Sequence, residues 1–360
     1  MKFLKELEPA GKKILVRLDL DVPVENGKVV DGFRIDVAIP TLKFLATAKK
    51  LYLIGHAGRP QPIVGNWRGK PNGKVVEELR LKPQAQYLAQ ALGLEFQEKP
   101  DEFLGPHYYL GENIEILENL RFDSGEETND SQFAQKLANF AEAFVFEAFA
   151  VSHRKHASIY ALSKLLPTYI GLRCQKEMEV LSKLRKESKE TIILVGGAKV
   201  EDKSEIIQNY QAQKVLFGGK TASQVWQNKE KYKEERFVLP IDGVLENGVV
   251  KNYADLSVEE LNLIRDIGPQ TIENYSEIIK TLGKNIIFAG PMGQYEKKEF
   301  SRGTKELMEV AIKTQKNTVV LGGDSAAAAE AFNSASKISY ISVGGGASLN
   351  FLVTGETVLN

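Results

Sequence analysis

Five times in its second half the chain lets an apolar run end in glycine. The phrases are VGGAKV at 195–200, FGGK at 217–220, FAGPMG at 288–293, LGGDS at 321–325 and VGGGAS at 343–348. Each leads toward a helix start, so the pattern predicts strand–turn–helix units. A glycine turn before a helix leaves backbone N–H groups free to meet phosphate. In open α/β sheets the ligand lies beyond the carboxyl ends of the strands. Five such turns therefore point to one ligand edge, suited to a nucleotide held against bare backbone. The first half closes its strands differently, with RLDLD at 17–21, GHAGRP at 55–60, ENLRF at 118–122 and EAFAVSHR at 147–154. Arginine and histidine gather there, and that edge reads as a site for an anion.

Strand-length apolar runs at 14–18, 51–54, 114–117 and 143–149 alternate with helical periods at 36–48, 83–92 and 131–141. The pattern restarts after residue 190 with IILVGG, KVLFGG, RFVLPID, NIIFAG, TVVLGG and SYISVGGG. This is βα alternation. The fold class expected is α/β: two similar-sized domains, each a mainly parallel sheet flanked by helices. The expected boundaries are 1–170 and 171–349, with a tail at 350–360 that packs back on the first domain. The charged helical stretch 172–190 reads as the connection. The glycine- and proline-rich segment 58–75 reads as a long functional loop.

Composition narrows the function. With 47 basic and 47 acidic residues the formal net charge is zero, which argues against a nucleic-acid partner. Cys174 is the one cysteine, and with four scattered histidines it makes no recognisable zinc site. No stretch approaches the roughly 18 consecutive apolar residues of a membrane span. The opening MKFLKELEPAGKK shows no secretory signal. A cytoplasmic enzyme acting on small molecules is the expectation.

In the second half Gly197 allows close backbone approach, and Lys199 and Lys203 follow it. A lysine there can neutralise a transferring phosphoryl group; equally, Lys199 can be a surface lysine after a tight turn. Gly218 and Gly293 lie on the same edge. Asp324 follows Gly322 and Gly323, with Ser325 beside it. The carboxylate suits a magnesium ion that also touches a nucleotide, or a helix cap. Gly344, Gly345 and Gly346 read as a cluster of N–H donors or as a crowded turn, and Glu296 as a ribose contact. Neither G-x-x-x-x-G-K-[ST] nor G-x-G-x-x-G occurs, which disfavours a Walker-type ATPase and a dehydrogenase. In the first half Arg17, Arg34, Arg59, Arg121 and Arg154 recur at strand ends or turns, near His56, His153 and His156. Arginine forks bind phosphate and carboxylate at two points. Asp19 and Asp21 could meet substrate hydroxyls or orient those arginines.

In order and approximate spacing, RLDLDVP, DGFRI, HAGRP, ENLRF, the HR pair at 153–154, GGAKVEDK, DIGPQT, GPMG, GGDSAA and GGGASLNF resemble the motifs of the phosphoglycerate kinases. The resemblance runs from about residue 14 to 353. It implies a first domain that binds 3-phosphoglycerate or 1,3-bisphosphoglycerate through Asp19, Asp21, Arg34, His56, Arg59, Arg121 and Arg154. It implies a second that binds ATP or ADP with Mg2+ through Gly197, Lys199, Lys203, Gly218, Gly293, Glu296, Gly322, Gly323, Asp324 and Ser325, with Asp324 on the metal. Arg34, Lys199, Gly345 and Gly346 would stabilise the transferring group, and a hinge would close the domains of a cytoplasmic glycolytic monomer. The chain departs from the family pattern at Asp21, at EAFA 147–150, at Ala289 and at Lys220, and it is shorter over 223–240. The alternative these departures motivate is a nucleotide-binding or regulatory relative with weak or lost catalysis.

Overall fold

The computed structural model describes residues 2–60, 76–197 and 203–359. The strand Lys13–Arg17, four of its five residues buried, lies inside an eight-stranded sheet. In spatial order the strands are Lys2–Phe3, Thr168–Ile170, Ala143–Phe146, Lys13–Arg17, Lys50–Ile54, Ile114–Ile116, His107–Leu110 and Phe96–Lys99. The first six run parallel, and the last two pairings are antiparallel, His107–Leu110 alone running against the rest. Runs such as AFVF at 143–146 are buried at every position, as strands covered on both faces must be.

A second sheet has six strands, all parallel: Phe237–Val238, Lys214–Phe217, Thr191–Val195, Asn285–Ala289, Asn317–Leu321 and Tyr340–Ser342. A small antiparallel sheet joins Val250–Asn252, Asp242–Leu245 and Ile264–Ile267. Each large sheet has its own apolar core, one built around Ile14, Val16, Leu51 and Leu53, the other around Ile192, Leu194, Ile286 and Phe288. Burying each such side chain stabilises its unit by about 1.5–3 kcal/mol. The chain divides into two compact units, Met1–Met178 with Glu356–Asn360, and Glu179–Gly355.

The α/β reading of both halves holds, and the strands anticipated from apolar runs are present. Several details differ. The helical period at 36–48 resolves into two short helices, Phe33–Asp36 and Ile39–Phe44. DIGP at 266–269 joins two elements: Asp266 and Ile267 end a strand, and Pro269 opens the helix Pro269–Thr281. Proline suits that first helical position because its missing N–H has no intrahelical partner to lose. Residues 61–75 of the expected long loop lie outside the described residues.

The departure at Glu147 has a structural explanation. The helix Leu172–Lys186 begins beside it. Glu147 accepts hydrogen bonds from Arg173 N at 2.9 Å and Cys174 N at 3.0 Å, and from the Thr41 hydroxyl. Thr41 Oγ1 also accepts from Leu172 N at 3.0 Å. A buried carboxylate on a helix N-terminus satisfies donors that the helix cannot. Burial nevertheless raises the Glu147 pKa. Gly171 is required there, since a Cβ on it would lie 2.2 Å from Glu147 Oε2.

Candidate ligand sites of the two units

The parallel strands of the first unit end together at Arg17, Ile54, Ile116 and Phe146. The residues that follow these strands therefore share one edge. Arg34, on the helix Phe33–Asp36, reaches Asp19 Oδ2 across 3.3 Å and donates to Asp21 O at 3.2 Å. Its side chain keeps 31% exposure, so donors remain to be used. Asp19 is buried, and burial raises its pKa against the pull of Arg34. Asp21 is exposed at its tip and accepts from Gly58 N at 2.8 Å, which ties down the HAGRP turn.

Arg121 donates to Gly58 O and lies 3.0 Å from Glu127 Oε1. Its Nη2 is buried with no hydrogen-bond partner among the described residues. An unpaired buried donor costs about 1–3 kcal/mol, so such a group marks a place where an acceptor belongs. His56 and His153 are pushed toward the neutral form. Burial drives the His56 pKa well below the usual value, and Arg17, Arg121, Arg154 and His156 drive it further. Burial, Arg154 and His156 bring His153 down to about 4. Arg154 is half-buried and Arg59 exposed.

Arg17 departs from the sequence reading. It is fully buried rather than a surface or ligand arginine. It pairs with Glu126, which is also fully buried and which the sequence reading missed. Only a carboxylate in a short helix near an arginine could have hinted at it.

In the second unit the strand ends Val195, Phe217, Ala289, Leu321 and Ser342 share one edge. Backbone lies on backbone there. Gly197 N donates to Pro291 O at 2.7 Å and Gly219 N to Met292 O at 2.7 Å. A Cβ on Gly196 would meet Pro291 O at 2.1 Å, and one on Gly290 would meet Gly196 O at 2.3 Å. Lys203 Nζ donates to Gly196 O, beneath the same crossing. Gly218 packs on Met292, and Gly293 on Asp266. Asp266 is buried and accepts from Ile267 N and Gly303 N; burial lifts its pKa to about 7.

Two helix N-termini open beside this crossing. Gly322 precedes the helix Gly323–Ala331, and Gly345 precedes Gly346–Thr354. A Cβ on Gly322 would lie 3.8 Å from Gly345 Cα, so the two turns are neighbours. Gly345 has φ +52 and ψ −119, a conformation open essentially to glycine alone. Space around Gly323, Gly345 and Gly346 is open, with nothing within 4 Å of an added Cβ. Ser325 is buried, and its hydroxyl accepts from Gly290 N at 2.8 Å. It braces the cradle from below. Asp324 and Glu296 are exposed, and both bear on Tyr295, whose pKa they help to raise after burial. Lys220 is exposed in the first turn of the helix Gly219–Gln227. Lys199 lies outside the described residues.

One unit thus presents a donor-rich edge for a small anion, and the other a backbone cradle for phosphate, each on a parallel α/β sheet. This is the equipment of a phosphotransferase. The phosphoglycerate kinase family model matches residues 4–230 and 220–355. Phosphoglycerate kinases from two strains of Leptospira biflexa are each 36% identical over 386 aligned positions, covering 98% of this chain and 95% of theirs. The structure of phosphoglycerate kinase from Coxiella burnetii aligns with TM-score 0.78 and 26% identity, over 99% of this chain and 97% of that one. The Pyrococcus horikoshii OT3 enzyme aligns with TM-score 0.79 and 26% identity, over 100% and 97%. The chain belongs to the phosphoglycerate kinase family.

Proposed function

We propose that the donor-rich edge of the first unit holds phosphoglycerate and the glycine cradle of the second holds the nucleotide. The reaction is the reversible transfer of a phosphoryl group between 1,3-bisphosphoglycerate and ADP, giving 3-phosphoglycerate and ATP. An oxygen of the ADP β-phosphate bonds to phosphorus while the bond to the acyl oxygen breaks. The leaving group departs as a carboxylate, so no protein nucleophile is needed. Alignment, charge neutralisation and exclusion of water supply the catalysis.

Each side chain then has a task. Arg121, Arg154, Arg59 and His56 take the anionic groups of phosphoglycerate, while Asp19 and Asp21 hold Arg34 and the HAGRP turn in place. Arg34 has donors left for the transferring group. The N–H groups of 322–325 and 345–346 meet the nucleotide phosphates, Glu296 serves the ribose, and Lys203 braces the turn beside Gly197. Lys199 is assigned to the transferring group from sequence. Among the described residues no cluster of three metal-ligating side chains exists. Exposed Asp324, beside the cradle, fits a magnesium ion that takes its other ligands from phosphate and water. When bound, the ion neutralises phosphate charge.

The observation that carries this reading is the buried Nη2 of Arg121, a donor with no acceptor among the described residues. The test is turnover by the full chain with 1,3-bisphosphoglycerate, ADP and magnesium, read as ATP. Calorimetry with 3-phosphoglycerate should show binding that Arg121→Ala weakens and Asp324→Ala leaves alone. Binding of 3-phosphoglycerate indifferent to Arg121 would refute the site assignment.

A further inference from the structure

We propose that Arg17 is a positioning residue that fixes the tautomer of His56, so that the imidazole can only donate toward the substrate edge. The inference rests on the reading of His56 as a phosphoglycerate ligand.

Arg17 ends the strand Lys13–Arg17 and has no exposed surface, so it is beyond the reach of a ligand. Its Nη2 lies 3.0 Å from His56 Nδ1. A guanidinium carries donors only and keeps its charge. Nδ1 must therefore accept, which leaves the ring proton on Nε2. That nitrogen faces Asp21 Oδ2 at 3.9 Å, and Asp21 is the solvent-exposed member of the pair.

The guanidinium is itself held from behind. Nε donates to Ser158 Oγ at 3.1 Å, and Nη1 donates to Leu18 O. Ser158 Oγ then donates to Glu126 Oε1 at 2.6 Å, and its backbone N–H donates to Oε2 at 2.9 Å. Ser158 sits in a π-helical turn, Ala157–Ala161, a geometry often met at functional sites. Arg17 thus donates both to the Ser158–Glu126 pair and to His56, which fixes the direction of its bond to the ring. Buried networks satisfied in this way hold one geometry.

The tautomer matters because the opposite one would aim a lone pair at an anion. The charged and titratable groups that face His56 are Arg17, Arg121, Arg154 and His156, with Asp21 across the ring from Arg17. The four basic groups all oppose its protonation. Burial, and then these basic groups, hold the His56 pKa well below its usual value, which favours the neutral ring with its proton on Nε2.

The test is histidine nitrogen NMR on the full chain. His56→Gln assigns the ring among the four histidines. The expected signature is a proton on Nε2 with no titration between about pH 5 and 8. A proton on Nδ1, or a ring that titrates in that range, overturns the proposal. The double variant Arg17→Met/Glu126→Gln removes both buried charges together. Mixed tautomers and a KM for 3-phosphoglycerate raised about tenfold are expected, with the nucleotide KM unchanged. Unaltered tautomer and KM in that variant also overturn it. Should the double variant melt early, Ser158→Ala breaks the same network without removing a charge and is read the same way. If His56→Gln leaves the KM for 3-phosphoglycerate unchanged, the ligand reading of His56 fails, while the NMR signature still decides the role of Arg17.

Discussion

The two units use opposite materials for the same task. In the proposed reading the first receives its anion with side chains: Arg121, Arg154 and Arg34, beside His56 and His153, whose pKa values burial and then basic neighbours lower. The second would receive its phosphates with main chain, at the helix-opening turns around Gly322 and Gly345. A side-chain site can place full charges and tune them, but it must bury and brace them. Glu126 and Ser158 are the cost of keeping Arg17 in the interior. A main-chain site needs no bracing of charge, but it tolerates no added atom where strands and turns cross.

The sharpest way to break this contrast is at Arg34. Arg34→Ala should lower kcat about 10²–10³-fold, as loss of a charge-stabilising donor does, with folding intact by circular dichroism. A drop confined to KM would reduce Arg34 to a binding group. Next in size is Gly345→Ala. The methyl finds open space, so its effect is conformational, about 1–3 kcal/mol. Calorimetry should show weaker nucleotide binding and unchanged binding of 3-phosphoglycerate. Glu147→Ala should leave both affinities alone and lower stability by about 1–3 kcal/mol in urea denaturation, because three donors lose their buried acceptor.

The smallest effects are in pH, and they have opposite sign in the two units. Between about 4 and 6.5 the unfolded chain holds a proton on His153 that the folded unit refuses, so stability falls as pH falls through that window. Between 3.8 and about 7 the folded unit keeps a proton on Asp266 that the unfolded chain has released, so stability falls as pH rises. Melting curves against pH should show His153→Gln flattening the first limb and Asp266→Asn the second. Equal slopes in the variants and the parent protein would remove the distinction.

Much of the fold was legible because parallel strands buried on both faces read as unbroken apolar runs, as in AFVF and NIIFA. The edge strands escaped because they are short or polar. FQEK at 96–99 has three exposed residues of four, and IRDI at 264–267 hides a strand behind Arg265 and Asp266. In the sites, glycines and arginines could be read because their positions follow strand ends. The supports could not. Ser158 and Glu126 reach Arg17 only through the fold, and the carboxylate in a short helix near an arginine is the sole local hint. Ser325, read as a nucleotide contact, also accepts from Gly290 N, a bond nothing in its own segment announces.

The crossing of Gly196, Gly219 and Gly290 carries a consequence for how this protein can diverge. Those positions touch main chain of neighbouring turns, so drift has no intermediate step available: one substitution displaces a whole loop. A lineage exploring new nucleotides would have to do so at the rim, through exposed residues such as Lys220 and Glu296, while the floor of the cradle stays as inherited.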